Sequence, residues 1–404
     1  MKVLLLVIDG LADISHPELA WSTPLQAAAT PTLDRLAGEG CSALMYPLGP
    51  GVCPSSEVAH WAMFGYRSGE FPGRAYLHAL AAGLPLREGD ALFMLNLVPV
   101  ERREGGVFVA DHDEARMADV CSRLAEGLRG LAPPGMELFY MGGIEFIAAV
   151  RGGSHRIACS DPFLRHLPLR ELRPADGWED DEAAASTAAG LEAFIAAAEE
   201  WLAEEERAEG ELALTVKWPS QGREVAPFQD RHGMRAAAVV STPCFQGMGT
   251  ALSMLVETVR GAGAGDDLAA KLDAAAGLLR GDREFVFVHT KYADEAAHAG
   301  VPSAKAEVIA AMDGALSAMT GLLDDPGLLT VVTADHSTPT ARDARVLHGG
   351  DPVPVLFHGS TVRRDTVERF DEVSAAAGGM GQIAGSDLMP VILYLSRRAG
   401  FFTG

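Results

Sequence analysis

Positive charge is scarce in this 404-residue chain: 33 lysines and arginines stand against 55 aspartates and glutamates, a formal net charge of −22. Such a surface repels phosphate backbones and anionic lipid headgroups, so neither nucleic acid nor a membrane is expected as a partner. An anionic small molecule is admissible only where a local cluster of cations or metal ions overcomes that field. Cysteine is sparse as well. Cys41, Cys53, Cys121, Cys159 and Cys244 are odd in number, scattered and never in C-x-x-C spacing, which argues against a disulfide framework and a zinc finger and fits a reducing cytoplasm. Long apolar runs are missing. The opening "MKVLLLVIDG" turns polar at Asp9, too soon for a signal-peptide core, and no later run approaches the ~20 apolar residues of a membrane span. No repeat of solenoid period is present.

What is present is an ordinary globular composition, 48% hydrophobic and 22% charged, at a length that suits one large α/β domain with an insertion, or two domains. Val3 to Ile8 is apolar throughout and stops at Asp-Gly, the pattern of a strand buried on both faces. "EFVFVHT" (284–290) and "GLLTVVT" (327–333) repeat that plan, and helical patterns such as "TPTLDRLAGEG" and "AEVIAAMDGALSAMTGLL" lie between. Strands alternating with helices predict a mostly parallel sheet flanked by helices. From about Gly89 to Pro227 the pattern changes to short strands ("ALFMLNLVPV", "MELFYMG", "FIAAVRG", "ELALTVKW") around an acidic, amphipathic helix within 180–211. This middle reads as an inserted α+β lid domain, 89–227, in a core made of 1–88 and 228–404; "HGMRAAAVVSTP" (232–243) reads as the return to the core sheet.

Three apolar strands end in polar clusters: Asp9; His289, Lys291, Asp294 and His298; Asp335 and His336. Ligands of open parallel sheets bind at the carboxyl ends of the strands, so these groups should converge despite their distance in sequence. Asp294 and His298, at i and i+4, would share one face of a helix. A single aspartate after a strand is commonly a helix cap and a single histidine a satisfied core residue; it is the joint occurrence at three strand ends that points to chemistry. Carboxylate and imidazole without thiolate suit Mn, Zn or Fe(II), and two such ions clamp a phosphoryl group well. In "PSSEVAH", Ser55 reads as an N-cap and Ser56 as a serine whose alkoxide a dinuclear centre could stabilise. His60, four residues on, would lie on the face of Ser56, either touching substrate or packing under Trp61; Trp61 to Phe64 read as the buried side of the helix, and Lys305, Arg363 and Arg364 as solvated charges.

"VIDGLAD", "TPLQAAATPTLDRLAGEG", "PSSEVAHWAMFGY", "HTKYADEAAHAG", "TADHSTP", "LHGGDPVPVLFHG" and "AGSDLMPVIL" resemble, in this order, the cofactor-independent phosphoglycerate mutases of archaeal type, members of the alkaline phosphatase superfamily. The resemblance covers roughly residues 1–90 and 228–404. It implies an alkaline-phosphatase-like core and transfer of phosphate through a phosphoserine, here at Ser56. It implies two divalent ions (Mn, Zn, Fe or Mg), one held by Asp9, Ser56, Asp335 and His336 and the other by Asp294, His298 and His348, with Lys291 steadying the transferring group. His348 rests on the resemblance alone, as does Arg74, which matches a "G-R" of the family.

In the lid the match departs from the family. Ile144 and Glu145 stand where a "H-R" pair is expected, "KWPS" (217–220) where "R-G-A-G" is, and Gln246 in place of a lysine. A carboxylate at Glu145 would repel an anion but could bind an amine or hydroxyl group, so the lid leaves the substrate open between phosphoglycerate and another small phosphorylated or phosphonate metabolite. A phosphatase or phosphodiesterase of the same superfamily is the alternative, and a catalytically silent binding protein on this scaffold a further one. The sequence leaves the oligomeric state open.

Overall fold

The structure is a computed structural model describing residues 1–205, 211–340 and 347–400. Its first strands are β1 (Lys2–Ile8), β2 (Cys41–Tyr46), β3 (Ala91–Arg103), β4 (Gly106–Val109), β5 (Met136–Gly142), β6 (Glu145–Val150) and β7 (Leu212–Gln221). Then come β8 (Ala236–Val240), β9 (Leu255–Thr258), β10 (Phe285–Thr290), β11 (Leu328–Thr333), β12 (Val353–His358) and β13 (Gln382–Ala384). The chain forms two compact units, one made of Met1–Phe71 and Ala226–Gly404, the other of Pro72–Val225.

The first unit is built on an eight-stranded sheet in the order β13-β2-β12-β11-β1-β10-β8-β9. β11, β1, β10, β8 and β9 run parallel, and β12 is antiparallel to both its neighbours. The apolar runs explain the centre of the sheet. Val3 to Ile8 are at most 1% exposed, which at about 1.5–3 kcal/mol per large apolar side chain makes β1 a principal source of stability. Register aligns the strand ends. Val7 pairs with His289 and Thr333, and Ile8 with Thr290, so β1, β10 and β11 end level and release Asp9, Lys291 and Asp335 at one edge. Helices Pro31–Glu39 and Pro302–Ala318 are locked together where Asp313 accepts from the backbone N–H of Thr32 at 3.0 Å and of Leu33 at 2.8 Å, satisfying first-turn amides that have no partner within their own helix.

The second unit is an antiparallel sheet, β4-β3-β6-β5 with β7 on β3. The alternation along β3 sorts its faces. Phe93, Leu95 and Leu97 pack with Val120 and Leu124 of helix Glu114–Gly130 and with Leu191 and Phe194 of helix Glu182–Glu205. Leu92 and Met94 point the other way, onto Ala75 and Ala79 of helix Arg74–Ala81. That contact corrects the expected boundary after residue 88: residues 72–88 belong with the second sheet, because this helix buries its small residues there. The acidic helix expected within 180–211 is seen as far as Glu205; residues 206–210 lie outside the described residues.

Candidate metal centre

Loops from three strand ends and one helix start meet in the first unit. Asp9 follows β1, Asp294 sits in the short helix Tyr292–His298 after β10, and Asp335 and His336 follow β11. Gly10 makes the first of these turns possible. It has φ +63°, and a Cβ there would lie 2.5 Å from Thr338 Oγ1 and 2.9 Å from the Cα of Asp294, so only a residue without a side chain lets these loops approach. Its N–H donates to Asp335 Oδ1 at 3.1 Å.

Two groups of potential ligands result, Asp9 with Asp294 and His336, and Asp294 with His298 and His348. Asp294 belongs to both. His298 Nε2 lies 3.4 Å from Asp294 Oδ1, as the i, i+4 spacing requires, and His348 Nε2 lies 3.9 Å from the same oxygen. His336 and His348 stack with centroids 3.7 Å apart. His336 Nε2 is 3.3 Å from both Asp9 Oδ1 and Asp335 Oδ2, and neither oxygen has a hydrogen-bond partner although both are buried. Stranded carboxylate oxygens in a dry site are costly unless a cation meets them, so these donors fit a metal ion.

The outer hydrogen bonds orient the same donors. Thr338 Oγ1 gives its one proton to Asp294 Oδ1 at 2.8 Å, so it must accept from His336 Nδ1 at 3.0 Å, which turns Nε2 toward the carboxylates. His348 Nδ1 donates to the Pro54 carbonyl at 2.7 Å, leaving Nε2 to face Asp294. His289 Nε2 contacts Asp9 Oδ2 at 3.1 Å.

Electrostatics report an anionic cavity short of cations. Burial, and then the charge of Asp9, push the Asp335 carboxyl up to about 7. His336 is opposed by burial but drawn up to about 9 by Asp335 and Asp9. Asp9 also works against burial, yet the charge of Lys291, the hydrogen bond of His289 and the charge of the nearby His336 imidazole hold it well below the usual carboxylate range. The Lys291 ammonium, at the rim, lies 2.8 Å from Asp294 Oδ2 and 3.5 Å from Asp9 Oδ2 and is raised by those two charges against burial.

Ser56 begins helix Ser56–Met63, with its Oγ 3.0 Å from His336 Nε2. Ser55 occupies the N-cap position with extended backbone, but its side chain makes no capping bond. Trp61, Met63 and Phe64 are buried, as expected.

Of the two readings of His60, packing is the one its burial favours: it is wholly buried, its Nδ1 donates to the Ser56 carbonyl at 2.8 Å, and its ring packs on Phe245 and Phe287. It lies behind the candidate ligands, 3.6 Å from Asp335 Oδ2, and burial holds its imidazole well below the usual range. Lys305 is not solvated but fully buried against Asp13, whereas Arg363 and Arg364 are exposed.

Arg74 and Glu145 lie in the second unit. The Arg74 guanidinium stacks over the Trp218 ring at 4.0 Å, and Lys217 Nζ sits 4.3 Å from the same ring. Glu145 opens β6, opposite Asn96, and lines a cavity of about 480 Å³ with Asn96, Glu114 and Ile144. Lys217, largely buried and lowered chiefly for that reason, feels Asp161 and Glu145 as counter-charges. It stands where the resemblance expects an arginine. Gln246, in helix Pro243–Ala251, donates to Thr258 Oγ1 at 3.1 Å. Thr338 and Gly10 were the contributors not singled out from sequence; each lies within one or two residues of a candidate ligand, in "TADHSTP" and "VIDG".

A mostly parallel α/β core with buried carboxylates and imidazoles at its strand ends is the frame of a metalloenzyme, and the profile of the Metalloenzyme superfamily matches residues 1–394; the chain belongs to it. The 2,3-bisphosphoglycerate-independent phosphoglycerate mutase of Methanopyrus kandleri is 37% identical over 416 residues, covering 98% of this chain and 97% of that one. That of Pyrococcus abyssi is 31% identical over 99% of each. Among solved structures, a protein from Pyrococcus horikoshii matches with a TM-score of 0.81 at 28% identity over 100% of this chain and 99% of that one. The cofactor-independent phosphoglycerate mutase of Thermoplasma acidophilum matches at 0.65 and 27%, over 98% and 100%. The chain is a member of the 2,3-bisphosphoglycerate-independent phosphoglycerate mutase family. Among the described residues no helix is long and apolar enough to cross a membrane.

Proposed function

We propose that this protein interconverts 2- and 3-phosphoglycerate in the cytoplasm through a phosphoserine at Ser56. The observation that carries the proposal is the placement of the Ser56 hydroxyl at a helix start, 3.0 Å from His336 Nε2 and beside the carboxylates that lack hydrogen-bond partners. Full-length similarity to enzymes of that name supports the substrate.

Divalent cations, when bound, stabilise a serine alkoxide and draw charge from the phosphoryl oxygens. Asp9, Ser56, Asp335 and His336 would hold one and Asp294, His298 and His348 the other, and Mn²⁺ suits this oxygen and nitrogen donor set. Ser56 loses its hydroxyl proton and its Oγ forms a bond to phosphorus as the bond to the glycerate oxygen breaks; that oxygen leaves with the electron pair and takes up a proton, so the proton count is unchanged. Lys291 Nζ, partly exposed at the rim, steadies the oxygens of the group in transit. The neighbouring hydroxyl of the retained glycerate then loses its proton and attacks phosphorus, and the Ser56 oxygen leaves with the electron pair and regains a proton. No water enters the balance, so product is an isomer of substrate. The substrate-binding roles expected from the sequence for Arg74 and Glu145 belong to the same proposal.

Ser56→Ala tests it. The variant should lose turnover of 3-phosphoglycerate while keeping its metal content, and wild-type protein quenched during turnover should yield a phosphopeptide containing Ser56. Wild-type rates in the variant would remove the nucleophile. Inorganic phosphate released in step with substrate loss would make the protein a phosphatase instead.

A further inference from the structure

Lys305, in helix Pro302–Ala318, touches none of the ligand residues, yet all three of its ammonium donors are committed in a dry interior. Nζ donates to Asp13 Oδ2 at 2.9 Å, to the Ala12 carbonyl at 3.1 Å and to the Thr338 carbonyl at 3.0 Å. Ala12 and Asp13 belong to the loop that carries Asp9, and Thr338 to the loop that carries Asp335 and His336. The two loops also meet directly, Thr338 N–H donating to the Ala12 carbonyl at 2.9 Å. Asp13 is held in turn by Ile14 N–H at 2.7 Å, Thr340 N–H at 3.1 Å and His16 Nε2 at 3.0 Å.

We infer that Lys305 is a positioning residue of the metal centre, setting the aim of Asp294 and His336 through Thr338. The ammonium fixes the carbonyl of residue 338, and the hydroxyl of the same residue donates to Asp294 Oδ1 and accepts from His336 Nδ1. One cation thus ties the ends of β1 and β11 to a ligand delivered by β10. Cohesion alone does not account for it. Desolvating two charges costs several kcal/mol per ion, and apolar residues of similar volume would hold the helix to the loops as well or better. What a fixed ammonium adds is direction, since its bonds specify where two loop carbonyls sit. The inference rests on Asp9, Asp294 and His336 being ligands, but not on the identity of the substrate.

The test starts from Mn²⁺-loaded wild type, Thr338→Val, Lys305→Met and the double variant. Each is dialysed against a graded series of EDTA concentrations, and retained manganese is measured by atomic absorption. Thr338→Val keeps the side-chain shape and the Lys305–Asp13 pair but removes the hydroxyl, and should weaken manganese retention about 10-fold, the usual scale for an outer partner of a ligand. Lys305→Met should weaken it at least as much. The double variant should be no weaker than Lys305→Met, because both changes cut one path. Retention within about two-fold of wild type in Thr338→Val, or losses that multiply in the double variant, would overturn the inference. Should Lys305→Met fail to fold, Lys305→Arg takes its place, keeping the charge but not the ammonium's geometry, and retention within about two-fold of wild type in it would overturn the inference. Wild type that holds manganese yet leaves 3-phosphoglycerate unchanged would end the functional proposal without touching this one.

Discussion

Glu372 lies beside the Lys305–Asp13 pair and gives the fold a pH dependence that can be worked out. Its Oε1 accepts from Asp13 N–H at 3.0 Å and its Oε2 from the Thr23 hydroxyl at 2.7 Å. Burial outweighs these bonds and pushes the carboxyl from the usual 4.5 up to about 7. The folded state therefore holds a proton that the unfolded chain releases. Stability from this group is fully present below pH 4.5 and is lost as pH rises to 7. At about 1.4 kcal/mol per pH unit the full loss is about 3 kcal/mol, most of it between pH 5 and 8; this is an upper bound, because the residue keeps some solvent contact. Glu372→Gln resembles the protonated acid, keeping an acceptor for Asp13 and offering a donor to Thr23. Urea unfolding of both proteins at a series of pH values isolates the difference, since other titrating groups cancel. Relative to wild type, the variant should gain up to about 2 kcal/mol between pH 5 and 8. Parallel curves within about 0.5 kcal/mol would refute the reasoning.

Gly10→Ala should lower the melting temperature by several degrees and weaken metal retention, because a left-handed conformation costs a side chain about 1–2 kcal/mol before the clash with Thr338 is counted. An unchanged melting curve in differential scanning calorimetry would contradict it. Asp294→Asn should reduce bound metal, measured by elemental analysis, more than His298→Ala does, since Asp294 is buried and stands within reach of both groups of potential ligands, whereas His298 is exposed and stands in one. Equal losses would contradict that reading.

Much of the centre was legible along the chain for a specific reason. Parallel strands covered on both faces are written as unbroken apolar runs, so β1, β10 and β11 announce themselves and the polar residues closing each run stand out. The i, i+4 pair Asp294 and His298 follows from helix geometry in the same way. The second sheet was readable as strands, but not the allegiance of residues 72–88, since a helix of small residues does not record which sheet it will cover.

Depth was another matter. Helical spacing places His60 on the Ser56 face but does not tell whether Phe245 and Phe287 close over it, and they do. Lys305 falls on the stripe of Ile309, Met312 and Leu316, the buried face of its helix, yet a lysine there reads as solvated until Asp13 is brought from far away in sequence. The candidate donors at the strand ends and the family could be read along the chain, because residue types and their local spacing are covalent facts. That Asp294 lies within reach of both groups of potential ligands, that His60 stands behind the cluster and that a buried ammonium joins two loops emerged only from the folded chain, because these depend on which distant segments exclude water from one another.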